Sequence, residues 1–167
     1  GRFELGSGKN FNRAFVELSE PVAALIGAQL GDDAEANVAL IRQTMGQVLD
    51  ALPAPSSQLE AMHRLLLRHA CDADITLDLH CDFDAAIHIY ALPQHWPQWQ
   101  SLAARLQAGV ALLCEDSGGS SFDESCSTPW LRLARAFPHA AIPAANLATT
   151  LELGSMGDTR VDQSQAN

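Results

Sequence analysis

The sequence predicts an α/β fold, a three-layer sandwich with a mixed, largely parallel sheet covered by helices, and two observations carry that expectation. Stretches of helical period alternate with short apolar strand-like runs from Pro21 to Gly154. Several of those runs, such as Val110 to Cys114, are continuously apolar, as strands covered on both faces are. With 167 residues and 47% hydrophobic content, the chain can bury one core of ordinary size.

The elements follow in order. Gly1 to Phe15 mixes glycines, Asn10, Asn12 and Arg13 with Phe3, Phe11 and Phe15, which is loop chemistry with aromatic anchors. Gly6 and Gly8 follow no strand, so a phosphate-binding loop is rejected. A helix is expected from Pro21, with Val22, Leu25, Ile26 and Leu30 on one stripe and Gly31 as its stop. Asp32 or Asp33 then caps a longer helix to about Leu52. Ser57 with Glu60 forms a capping box for a third helix to about His69, whose buried stripe is expected at Leu59, Met62, Leu66 and His69 or Ala70. His63 and His69, six apart, do not share a helix face and are assigned to packing or surface.

Ile75 to Asp82 alternates strictly and is expected to be the central strand, with a second strand at Ile87 to Ala91. Pro97 opens a helix that stops at Gly109, and a strand follows at Val110 to Cys114. Glu115 to Glu124 reads as a polar, glycine-rich loop. Thr128 and Pro129 read as the N-cap and first turn of a helix to Ala136, and Ala148 to Gly154 as the last strand.

Twenty Asp and Glu against ten Lys and Arg give a net charge of −10 and a pI near 4.8. A polyanion is repelled by such a chain, so neither nucleic acid nor an anionic membrane is expected as a partner, and any small anion must be met by individual arginines. No apolar run reaches the ~18 residues a bilayer span requires. Cys71, Cys81, Cys114 and Cys126 have no paired spacing and read as reduced thiols of a cytoplasmic protein. Apolar helix faces serve core and interface alike, so the oligomeric state is not predicted.

Two polar residues interrupt apolar strands. His80 ends the Ile75 to Leu79 run between Asp78 and Asp82, at the carboxyl end of a strand, where ligands gather in open α/β sheets. It reads either as a group for chemistry or as a polar strand end hydrogen-bonded to Asp78 or Asp82. Glu152 reads either as a buried working carboxylate or as a residue paired with an arginine or facing water on an edge strand. Together they suggest a metal-held water with a carboxylate base.

Three segments in this order, Asn10-Phe11-Asn12-Arg13-Ala14-Phe15, Asp78-Leu79-His80 and Thr150-Leu151-Glu152-Leu153-Gly154, resemble the succinylglutamate desuccinylase and aspartoacylase family of zinc amidohydrolases. The resemblance implies a zinc-carboxypeptidase-like catalytic domain, with His80 as a zinc ligand, Glu152 as general base and Asn12 with Arg13 as the substrate-binding pair. Arg2 corresponds to the arginine that polarises the scissile carbonyl.

The family's His-x-x-Glu ligand pair precedes the Asn-Arg loop, and none of the six histidines here has glutamate three residues on. His69-x-x-Asp72 comes nearest and follows the loop. Residues 1–157 are therefore expected to be part of a catalytic domain lacking its first strand, with 158–167 a polar tail leading to a further domain. The function expected is zinc-dependent removal of an acyl group from a small N-acyl amino acid or similar amide, with one zinc ion whose other ligands lie upstream; this chain alone is expected to be inactive. The alternative is a non-catalytic carboxylate-binding domain of the same fold. Asn12 and Arg13 are expected to fold back towards His80 and Glu152. Should His80 not be the ligand, Asp78, Asp82 and His88 are the next groups to consider.

Overall fold

A computed structural model describes residues 2–155, so the expected polar tail at 158–167 lies outside the described residues. They make an α/β fold with five α-helices and a four-strand mixed sheet, in the order α1 (Ser19–Ile26), α2 (Ala34–Ala51), α3 (Gln58–Ala70), β1 (Ile75–Asp82), β2 (His88–Ala91), α4 (Trp96–Arg105), β3 (Val110–Leu113), α5 (Phe122–Ala136) and β4 (Leu147–Ser155). Two compact units emerge from the contacts, residues 2–76 with 115–148 and residues 77–114 with 149–155.

The first unit is helical. Asp33 caps α2 by accepting hydrogen bonds from the N–H groups of Glu35 and Ala36, as its position ahead of the helix predicts. Ser57 caps α3 by accepting from Glu60 N–H, while the Glu60 carboxylate turns back to Ser56. The core gathers Leu18, Val22, Ile26, Ile41, Met45, Leu49, Leu67, Trp130 and Leu133, all nearly or fully buried.

Three expectations for this unit are corrected. α1 stops at Ile26 and continues only as a 3-10 turn over Gly27–Gln29, leaving Leu25 exposed. The buried stripe of α3 is Leu59, His63, Leu67 and Ala70, with Leu66 turned outward, because the His63 ring stacks on Phe15 with centroids 3.9 Å apart. α5 begins at Phe122 rather than Thr128, so Pro129 lies inside it, where its missing N–H leaves the carbonyl of Ser125 without the usual helical donor. The early start has a cause the local sequence hides: Asn12 Oδ1, 110 residues upstream, accepts the Phe122 N–H at 2.8 Å.

In the sheet, the strand order is β1-β4-β2-β3. β2 pairs parallel with β3 and antiparallel with β4, His88 lying opposite Glu152 and Tyr90 opposite Thr150. β1 and β4 run the same way, since Leu147 N–H donates to Asp74 O at their starts and Thr150 meets Asp78 further along. β1 is thus an edge strand of this sheet, a correction to its expected central place, because β4 arrives from far along the chain to take the interior position. Its burial is also inverted. Ile75, Leu77 and Leu79 are 58%, 45% and 60% exposed, while Thr76, Asp78, His80 and Asp82 on the other face are shielded or half-shielded. In the second unit, the buried apolar side chains are Ile89, Ala91, Leu92, Trp99, Ala103 and Leu151.

Candidate functional site

His80 and Glu152 come to one end of the sheet. β1 and β4 are parallel neighbours, so the late positions 80 and 152 share an end, and antiparallel β2 brings its first residue, His88, to that same end. Alternation places Asp78 and His80 on one face of β1, Thr150 and Glu152 on one face of β4, and His88 and Tyr90 on the matching face of β2. The Thr150 hydroxyl lies 3.5 Å from Asp78 Oδ2, which shows that the β1 and β4 faces coincide.

The imidazole of His80 has its Nε2 2.8 Å from Asp78 Oδ2, and the two side chains are 31% and 16% exposed. Of the two readings open for His80, the hydrogen bond to Asp78 is therefore present; by itself that bond neither requires nor excludes a chemical role. Among the described residues no arginine pairs with Glu152, and its strand is interior in this sheet. One of its carboxylate oxygens, Oε2, is buried and has no hydrogen-bond partner among the described residues. Such an oxygen costs free energy in the folded protein, and sites that tolerate the cost commonly use it on a ligand. Sequence reasoning missed Thr150 and gave His88 only a fallback place, because strand register, which no local pattern reveals, puts them beside Asp78 and Glu152.

Asn12 and Arg13 lie in the first unit, on the opening loop. Ala14 N–H and Phe15 N–H donate to the carbonyls of Gly119 and Ser120, and the ring nitrogen of His63 lies 2.7 Å from Phe11 O. Arg13 donates from Nη1 to Asn12 O at 2.6 Å, and its stem crosses Gly119 so closely that a Cβ there would fall 2.8 Å from Arg13 Cδ. Gly119 also has φ of +87°, so only glycine suits the position on both counts. Arg2 is exposed, and its carbonyl accepts the Phe11 N–H across a short bridge between Phe3 and Asn10.

No family model matches the chain and no curated protein matches it. Solved structures do. A protein from Shewanella amazonensis SB2B, assigned to the succinylglutamate desuccinylase/aspartoacylase family, superposes with a TM-score of 0.80 and 26% identity over 99% of this chain and 45% of its own. One from Shewanella frigidimarina NCIMB 400, also assigned as a succinylglutamate desuccinylase/aspartoacylase, gives 0.78 and 24% over 99% and 44%. The chain has the fold of succinylglutamate desuccinylase/aspartoacylase family proteins. It spans less than half the length of the structures it matches.

Proteins of that family are typically zinc-dependent. Among the described residues no three His, Cys, Asp or Glu side chains gather closely enough to hold a metal ion. The donor chemistry at the strand ends fits one corner of a zinc site: an imidazole backed by a carboxylate, with an unpartnered carboxylate oxygen on the adjacent strand. It does not make a closed site. No helix among the described residues is long and apolar enough to cross a membrane.

Proposed function

We propose that this chain is part of the catalytic domain of a zinc-dependent amidohydrolase that removes the acyl group from a small N-acyl amino acid or similar amide. The observation that carries the reading is the clustering of Asp78, His80, Thr150 and Glu152 on one face at one end of the sheet, in a fold matched at a TM-score of 0.80. In this reading residues 1–157 supply one zinc donor, His80, and the remaining donors come from polypeptide outside this chain. The zinc, when bound, supplies a polarised water and a Lewis acid.

Glu152 Oε2, buried and unpartnered among the described residues, is the atom that takes a proton from the attacking water and returns it to the leaving nitrogen. Arg13 meets the substrate carboxylate through its guanidinium fork, and Arg2 stabilises the developing oxyanion. Asn12 stands with Arg13 as the substrate-binding pair, and its side-chain oxygen also accepts the Phe122 N–H at the α5 N-terminus, which holds the loop that presents Arg13. None of the four cysteines is in a disulfide, in keeping with the reading of a reducing, cytoplasmic setting.

Zinc titration of the 167-residue chain, with assays on acetyl- and succinyl-amino acids, tests the division of labour. The expected result is weak, substoichiometric zinc and no hydrolysis, against one zinc per chain and turnover in a longer protein that carries these residues. Micromolar or tighter stoichiometric zinc with amide cleavage by the chain alone would show that the ligands are misassigned, and zinc-free turnover by the longer protein would remove the metal from the reading.

A further inference from the structure

Among the described residues no carboxylate pairs with the half-buried Arg13, although the chain carries twenty Asp and Glu against ten Lys and Arg; its Nη1 donates to Asn12 O instead. The backbone around it is held in an uncommon shape. Ala14 has φ of +63° and Ser120, whose carbonyl accepts the Phe15 N–H, has +51°, a left-handed conformation that side chains rarely adopt. Such geometry lasts only where the surroundings impose it. On α3, one side chain does so at two points. His63 Nε2–H donates to Phe11 O at 2.7 Å, and because a carbonyl only accepts, that nitrogen carries a proton whatever the charge of the ring. The same ring stacks on Phe15, with centroids 3.9 Å apart, and Phe122 tilts against Phe15 at 5.3 Å. His63 therefore grips the chain two residues before Arg13 and two residues after it. With His63 7% and Phe15 5% exposed, water competes little for either contact.

We infer that His63 is a positioning residue for Arg13: its donor and its ring fix the segment Phe11 to Phe15, so that the guanidinium is held ready for a ligand carboxylate. The identity of that ligand rests on the function proposed above; the two-point grip does not. Holding a binding group in place before the ligand arrives spares the ordering that binding would otherwise require. His63 accordingly acts on recognition of the carboxylate and leaves the bond-breaking step alone.

The test compares His63→Phe, which keeps a ring for Phe15 and loses the donor, with His63→Gln, whose amide can donate to Phe11 O. In the longer protein that carries this chain, His63→Phe should raise KM for acetyl- and succinyl-amino acids about tenfold with kcat within about twofold, and His63→Gln should recover most of the loss. On the same substrates with the carboxylate converted to a carboxamide, and in an Arg13→Ala background, His63→Phe should change nothing further. A lower kcat at unchanged KM, or equal losses on acid and carboxamide, would make His63 a packing residue only and overturn the inference. Trypsin digestion of the 167-residue chain reads the grip without activity. Cleavage after Arg13 should be about tenfold faster in His63→Phe than in the wild type and near the wild-type rate in His63→Gln, with cleavage after Arg132 on α5 unchanged. Equal cleavage after Arg13 with and without the donor overturns the inference. Should His63→Phe also speed cleavage after Arg132, it is unfolded, and His63→Met, which has no donor either, takes its place. If the longer protein cleaves no N-acyl amino acid, the proposed function fails while the trypsin result still decides the grip.

Discussion

The helical core of the first unit and strand β1 obey the same amphipathic rule with opposite outcomes. In the core, the periodic apolar residues are the buried ones: Ile41, Leu49 and Leu133 are at 0% exposure. In β1, the apolar row is open and the polar row is the shielded one. Period-two alternation identifies two faces and leaves open which of them is covered, since a strand has no inside until another layer packs on it. The helices of the first unit meet one another, so their stripes find cover within it. A polar row that is shielded while an apolar row is exposed has a cost, and here that polar row carries the candidate site.

The largest expected effect sharpens this contrast directly. Leu133→Ala should cost about 2–5 kcal/mol of unfolding free energy in urea denaturation, because it leaves a cavity in a filled core. Leu79→Ala, on the open face of β1, should change stability by no more than about 0.5 kcal/mol. Equal losses would mean that the apolar row of β1 is covered.

Smaller, at about 1–3 kcal/mol, is the effect expected from Asn146→Ala. Asn146 is 1% exposed, accepts from the Thr76 hydroxyl and donates to Ala70 O, so its loss takes the acceptor from the buried Thr76 hydroxyl and leaves Ala70 O with the Ala73 N–H alone. A loss as small as that of an exposed residue would place Asn146 in water.

Smaller than the loss of a buried leucine is the pH effect expected of a single imidazole. Burial pushes the His95 imidazole below its usual 6.5, so the folded protein disfavours its charged form. Its contribution is therefore present above pH 6.5 and is lost as the pH falls through the lowered folded value. Denaturation midpoints measured down from neutral pH should fall with acid, and His95→Gln should flatten that part of the profile. A midpoint independent of His95 would contradict the burial of its ring.

Much of the fold was legible because it depends on local chemistry: the Asp33 and Ser57 caps, the strand at β1 and the apolar run of β3 all follow from residues within a few positions. What escaped depends on distant partners. Pro129 looked like a helix start because nothing nearby announces that Asn12 caps Phe122. His63 could be packing or surface until Phe15 was seen to stack on it. At the site, His80 and Glu152 stood out as polar interruptions, whereas Thr150 and His88 became visible only through the pairing of β4 with its neighbours.

The central claim is that Glu152 works as a proton carrier beside a His80-bound zinc. Steady-state hydrolysis and zinc content of Glu152→Gln, made in the longer protein that carries this chain, test it most directly. The account predicts one zinc per chain with kcat lower by about 100- to 10,000-fold, the range a positioned general base contributes. Unchanged kcat with zinc in place would contradict it.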